Sequence, residues 1–178
     1  SVCIGYIGAG GFSGQVMLPA LSKTSARLKT IASSKGVTGT HLGKKFGFEQ
    51  SSTDTDSIIA DQEINTVVIA TRHNSHAKFV NQALSAGKRV YVEKPLCLTP
   101  QELIEIKDLY SSCREAGNAP FLMVGFNRRF APQVIKMCDL LAGTSEPKAM
   151  VMTVNAGFIP NNHWTQDPEA GGGRIIGE

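Results

Sequence analysis

The chain has 178 residues, a formal net charge of +3, and 42% hydrophobic against 19% charged residues. That length suits one domain, or one domain with part of a second, and the balance of residue types excludes a disordered chain. No apolar run approaches the ~18 residues of a membrane-crossing helix, and so small a net charge argues against a dedicated nucleic-acid binder.

Val2-Cys3-Ile4-Gly5-Tyr6-Ile7 reads as a buried strand. A helix is expected over roughly 12–24, with Val16, Met17, Ala20 and Leu21 on one face and Pro19 bending it or removing one hydrogen bond. Strand 28–32 and a short helix 40–46 follow, then a helix 54–60 capped by Asp54. Thr66-Val67-Val68-Ile69-Ala70 is a continuous apolar strand, and helix 75–86 turns Ala77, Val80, Ala83 and Leu84 inward before stopping at Gly87. After strand 89–92, Thr99 and Pro100 start a helix that presents Leu103, Ile106, Leu109, Tyr110 and Cys113 on one face and ends at Gly117. Strand 121–124, helix 132–141 and a further strand 149–155 are expected before an aperiodic tail rich in Gly, Pro and Asn. This alternation with short turns is the pattern of a doubly wound parallel α/β sheet.

Gly8-Ala9-Gly10-Gly11-Phe12-Ser13 lies between the first strand and the first helix. The dinucleotide fingerprint needs a tight turn, met by Gly8, and close backbone approach to a pyrophosphate, met by Gly10. Its third small position is Ser13 here, and the helix N-terminus offers N–H groups to phosphates. A methyltransferase can use a similar loop, so the loop does not fix the chemistry. At the end of the second strand, where NAD enzymes place a carboxylate, the chain has Ser33-Ser34-Lys35. Two hydroxyls and an ammonium suit a 2′-phosphate, which favours NADP over NAD. Residues 1–48 also carry Lys23, Arg27, Lys29, Lys35, Lys44 and Lys45 with no acid before Glu49, a one-sign field suited to an anionic ligand.

Of four cysteines, Cys3, Cys97, Cys113 and Cys138, none forms a Cys-x-x-Cys pair. Zinc-ribbon and thioredoxin-type spacing is therefore missing. Three lie in apolar periodic stretches and read as buried hydrophobes, in keeping with a reducing, cytoplasmic compartment. His73-x-x-His76 has no third ligand nearby, so no metal site is expected. Tyr6, Tyr91 and Tyr110 lack a lysine four residues on, which removes the Tyr-x-x-x-Lys pair of a short-chain dehydrogenase.

Arg89-Val90-Tyr91-Val92-Glu93-Lys94-Pro95-Leu96, with Thr71-Arg72-His73-Asn74-Ser75-His76-Ala77 and the glycine turn, resembles the Gfo/Idh/MocA oxidoreductases, the relatives of glucose–fructose oxidoreductase and inositol 2-dehydrogenase. Val124-Gly125-Phe126-Asn127-Arg128-Arg129-Phe130 and Gly171-Gly172-Gly173 are similar to that family too. The resemblance implies a Rossmann domain over 1–125 and the start of a substrate and oligomerisation domain over 126–178. It implies that Lys94 is the catalytic lysine beside the nicotinamide and the substrate hydroxyl. Dinucleotide contacts are implied from Gly8, Ala9, Gly10, Gly11, Phe12, Ser33, Ser34, Lys35, Ala70, Thr71, Asn74, His76, Glu93, Lys94, Asn127 and Arg129. Pro95 rigidifies the turn that presents Lys94, and the resemblance allows a cis bond there. Family members run to about twice this length and carry a second catalytic motif with a histidine, which His41, His73, His76 and His163 do not replace. The chain is thus expected to be a fragment, opening with Ser1 rather than Met. It would bind NADP or NAD and lack part of the machinery for a sugar, cyclitol or nucleotide-sugar substrate. The whole protein is expected to be a homo-oligomer without membrane or nucleic-acid partners. The alternative is a non-catalytic dinucleotide-binding or sensing module.

Overall fold

The computed structural model describes residues 1–155 and 157–177; of the segment 126–178, residues 156 and 178 lie outside the described residues. Six strands form one sheet: β1 (Cys3–Ile7), β2 (Arg27–Ala32), β3 (Gln50–Ser52), β4 (Thr66–Ile69), β5 (Arg89–Val92) and β6 (Leu122–Val124). Every pairing is parallel and the spatial order is β3-β2-β1-β4-β5-β6. Chain order therefore reverses between β1 and β4, and the carboxyl ends of those strands open a crevice where this class of sheet binds ligands.

Side-chain alternation along β1 divides the core. Cys3 and Ile7 pack on one side with Ile58, Ile64, Val80, Val90 and Ile106, while Ile4 and Tyr6 pack on the other with Leu18, Leu28, Ile31 and Leu42. Gly5 sits directly under Ile58 and Ile64, whose side chains occupy the space a Cβ would need. The connecting helices are α1 (a π turn, Ser13–Met17, running into Leu18–Leu21), α2 (Val37–Phe46), α3 (Asp56–Ala60), α4 (His76–Ser85), α5 (Pro100–Glu115), α6 (Pro132–Leu141) and α7 (Gly173–Gly177). Asp54 caps α3 by accepting from the N–H groups of Asp56 and Ser57, at 2.9 and 3.3 Å. Thr99 and Glu102 close a reciprocal capping box on α5.

Four expectations need correction. The apolar face of α1 is shifted: Leu18 is fully buried and Val16 is 51% exposed. The π turn inserts a residue ahead of Pro19, Leu18 N–H bonding to Ser13 O, and this rotates the face. In α5, Leu103 is exposed at 42% and only Ile106 is buried. Residues 149–155 form no strand, for no neighbouring strand offers them a ladder. Finally, the basic run is partly neutralised. Arg27 binds Glu49 and Glu63, each at 2.6 Å, and Lys29 binds Asp61 at 2.7 Å. Both residues lie at the start of β2, at the edge of the sheet opposite the crevice. Among the cysteines, Cys3 is buried, Cys97 and Cys113 are half-buried and Cys138 is exposed.

Candidate functional site

The glycine turn forms the first wall of the crevice. Gly8 has φ +113°, a value that favours glycine, and a Cβ there would run into the Ala70 carbonyl. Its N–H bonds to Ala32 O at 2.9 Å, so the turn is anchored to β2. Gly10 and Gly11 have open space where a Cβ would stand. With Ala9 and Gly14 they border a shallow groove of about 460 Å³ that continues along α2 past Thr38, His41 and Lys45. A bare backbone at a helix start, with room in front of it, fits the diphosphate of a dinucleotide. Ser13 is buried at the third small position. At the end of β2, Ser33 Oγ accepts from Gly39 N–H at 3.1 Å, and its hydroxyl proton remains available to donate. Ser34 and Lys35 are exposed.

A second cleft, of about 270 Å³, opens over β4 and β5 and is lined by Phe12, Ala70, Thr71, His76, Glu93, Lys94 and Asn127. Chain segments far apart in sequence meet there because the strands that carry them are adjacent and in register. Glu93 N–H bonds to Ile69 O at 2.9 Å, continuing the ladder past the end of β5. Tyr91 OH donates to Glu93 Oε1 at 2.7 Å, and Gly125 leaves the room these two side chains occupy. Burial, then this bond, raise the Tyr91 phenol above its ordinary range. Burial likewise pushes Tyr6, beneath the same carboxylate, up to about 12. The Lys94–Pro95 peptide is cis. Lys94 Nζ donates to Gly177 O at 2.6 Å.

Thr71 Oγ1 and Ser75 Oγ share a hydrogen bond of 2.6 Å. Asn74 is exposed and held by its backbone, N–H to Ala170 O at 3.3 Å. His76 lines the cleft floor with neither ring nitrogen turned to a ligand: Nδ1 lies 2.6 Å from Pro95 O and Nε2 3.2 Å from Thr71 O. Arg129 lies outside both clefts, its guanidinium stacked over Phe130 at 4.8 Å.

The remaining wall comes from the aperiodic tail. Trp164, Thr165, Gly173, Arg174 and Gly177 complete the cleft. Gly171 O bonds to His73 Nδ1 at 2.7 Å, and the Trp164 ring meets the His73 ring edge-on at 4.8 Å. Gly171 fits tightly against the Trp164 and Thr165 carbonyls, where a Cβ would clash. The sequence offers one signal for this wall, the glycine triplet; nothing in its periodicity points to Trp164 or Arg174. Among the described residues, no group of three or more His, Cys, Asp or Glu could hold a metal ion, and no helix is long and apolar enough to cross a membrane.

Comparison with known proteins agrees with this geometry. Residues 2–126 match the family model described as "Oxidoreductase family, NAD-binding Rossmann fold". The levoglucosan dehydrogenase of Pseudarthrobacter phenanthrenivorans is 37% identical over 106 residues, covering 60% of this chain and 26% of that enzyme. The inositol 2-dehydrogenase of Rhizobium meliloti is 32% identical over 133 residues, covering 74% of this chain and 38% of that protein. A 3-ketoreductase from Actinomadura kijaniata, solved in complex with TDP-benzene and NADP, superposes with a TM-score of 0.69 at 25% identity, covering 79% of this chain and 43% of the other. The matched part thus spans less than half the length of each of these three relatives.

Proposed function

Because the chain belongs to the Gfo/Idh/MocA oxidoreductase family, we propose that it is the cofactor-binding part of an NAD(P)-dependent dehydrogenase acting on a hydroxyl carbon of a sugar, cyclitol or nucleotide sugar. The names of the relatives, a levoglucosan and an inositol dehydrogenase, support that substrate class. The observation that carries the reading is the placement of two features at the carboxyl ends of the parallel strands: the glycine turn, bordering a groove of about 460 Å³, and Glu93 and Lys94, which with Phe12 line a cleft of about 270 Å³. In this reading residues 1–125 form the dinucleotide domain and 126–178 begin the substrate and oligomerisation domain of a cytoplasmic homo-oligomer.

The bound nicotinamide supplies the hydride acceptor or donor. The chain's own residues do the rest. The glycine turn and helix start hold the diphosphate. Lys94 holds the substrate hydroxyl and stabilises negative charge on its oxygen as the C–H bond is broken. Glu93, fixed by Tyr91, sets the charge beside that ammonium. Ser33, Ser34 and Lys35 receive the adenosine ribose and, with no carboxylate among them, favour NADP; the NADP bound to the ketoreductase relative is in keeping with this.

Fluorescence titration with NADPH and NADH side by side tests the cofactor reading: binding is expected for both, tighter for NADPH. Binding of neither would overturn it. In the longer enzyme, Lys94→Ala should lower turnover by about 10²–10³, the range for losing one donor that stabilises developing negative charge.

A further inference from the structure

The cleft depends on two loops keeping a fixed spacing, the one after β4 that carries Thr71 and the one after β5 that carries Lys94. The backbone ladder joins them as far as Glu93 N–H to Ile69 O. Beyond it, His76, which follows the Thr71 loop in the chain, reaches the turn after β5. Its ring is fully buried, with Nδ1 at 2.6 Å from Pro95 O and Nε2 at 3.2 Å from Thr71 O. The ring is itself held on the first turn of α4, whose Ala77 and Val80 pack into the core. A neutral imidazole has one N–H, and the shorter contact takes it.

We propose that His76 is a positioning residue: by donating from Nδ1 to the Pro95 carbonyl, it fixes the turn that presents Lys94 relative to the loop that presents Thr71. This rests on the dinucleotide reading above. It assigns His76 a different role from a ribose contact: a buried donor that orients the residue acting on substrate, as outer partners orient ligands elsewhere. The charged and titratable groups around the ring are His73, with ring centroids 5.7 Å apart, Glu93 and Lys94.

The test is site-resolved lysine labelling with acetic anhydride, read by mass spectrometry, on the wild-type chain, His76→Phe, His76→Leu and His76→Gln. Loss of the donor in the Phe and Leu variants should change Lys94 labelling by about fivefold, the worth of one hydrogen bond. Gln, which can still donate, should return the rate toward wild type. Lys88 is the internal gauge: it is buried and donates to Asp61 O and Ile64 O, each at 2.7 Å, far from the cleft. A Lys94 rate unmoved in the apolar variants, or a parallel acceleration at Lys88, would overturn the proposal. Should the apolar variants not fold, long-range ¹H–¹⁵N spectra of the wild type decide: the proposal requires the Nδ1–H tautomer at His76, and an Nε2–H tautomer refutes it. Failure of NADPH to protect wild-type Lys94 counts against the dinucleotide reading alone, since the contrast among His76 variants is measured without cofactor.

Discussion

Gly10 and Gly8 separate two uses of glycine. A side chain at Gly8 conflicts with the fold, through its positive φ and the Ala70 carbonyl, whereas one at Gly10 enters open space. Gly10→Glu should therefore leave the thermal midpoint near wild type while filling the diphosphate cradle and adding a repelling charge. NADPH affinity should fall at least about tenfold, about 1.4 kcal/mol, in a fluorescence titration paired with a melting curve. His76 allows a second prediction, on pH. Burial holds its imidazole below the ordinary 6.5, with the Pro95 and Thr71 carbonyls and Glu93 opposing and Lys94 adding to the depression. The unfolded chain then binds the proton that the folded one refuses, so stability is present above the ordinary value and is lost as pH falls below it. Urea unfolding at pH steps from neutral downward should show this slope, flattened in His76→Gln. This window opens at higher pH than that of Glu49, Asp61 and Glu63, whose carboxyls Arg27 and Lys29 hold below their ordinary range.

At the level of elements, legibility followed the strength of the local signal. Thr99-Pro100 announced α5, and the structure adds Glu102, which completes a capping box with its N–H donating to Thr99 Oγ1 at 3.2 Å. Thr99→Ala should accordingly cost about 1 kcal/mol, measured by equilibrium unfolding. The continuous apolar runs of β1 and β4 were equally plain, because strands covered on both faces need no alternation. Gln50–Ser52 carries no such run: β3 is a polar edge strand, paired through its backbone to β2, and nothing in its side chains announced it. α1 was legible as a helix but not in its phase, since the π turn before Pro19 shifts the buried face from Val16 to Leu18. In the candidate site, the glycine turn could be read because a tight turn demands glycine, and the Glu93-Lys94-Pro95 run because it resembles a family motif; Glu93 and Lys94 line one cleft. The tail wall could not, because Trp164, Arg174 and Gly177 reach the cleft through tertiary contacts that leave no periodicity.

Over the whole molecule, burial is uneven. The sheet and the helices on it are closely packed, while past β6 no described residue of α6 is buried, and Ile135 and Leu140 are 47 and 70% exposed. In the stretch that follows, Met150, Val151, Met152, Val154 and Phe158 are between 53 and 95% exposed. Soluble monomers seldom leave so many large apolar side chains uncovered in one region. Under the reading proposed above, a complete second domain or a neighbouring subunit would cover them, and this chain on its own should associate with itself. Sedimentation velocity across the micromolar range should show a concentration-dependent shift to larger species. The pair Val151→Lys and Phe158→Lys, at 95 and 88% exposure, should suppress that shift without altering NADPH binding, because neither residue lines either cleft. A wild-type chain that stays monomeric throughout would mean that this segment folds back onto its own domain in solution and that its apolar side chains are not an unfinished interface.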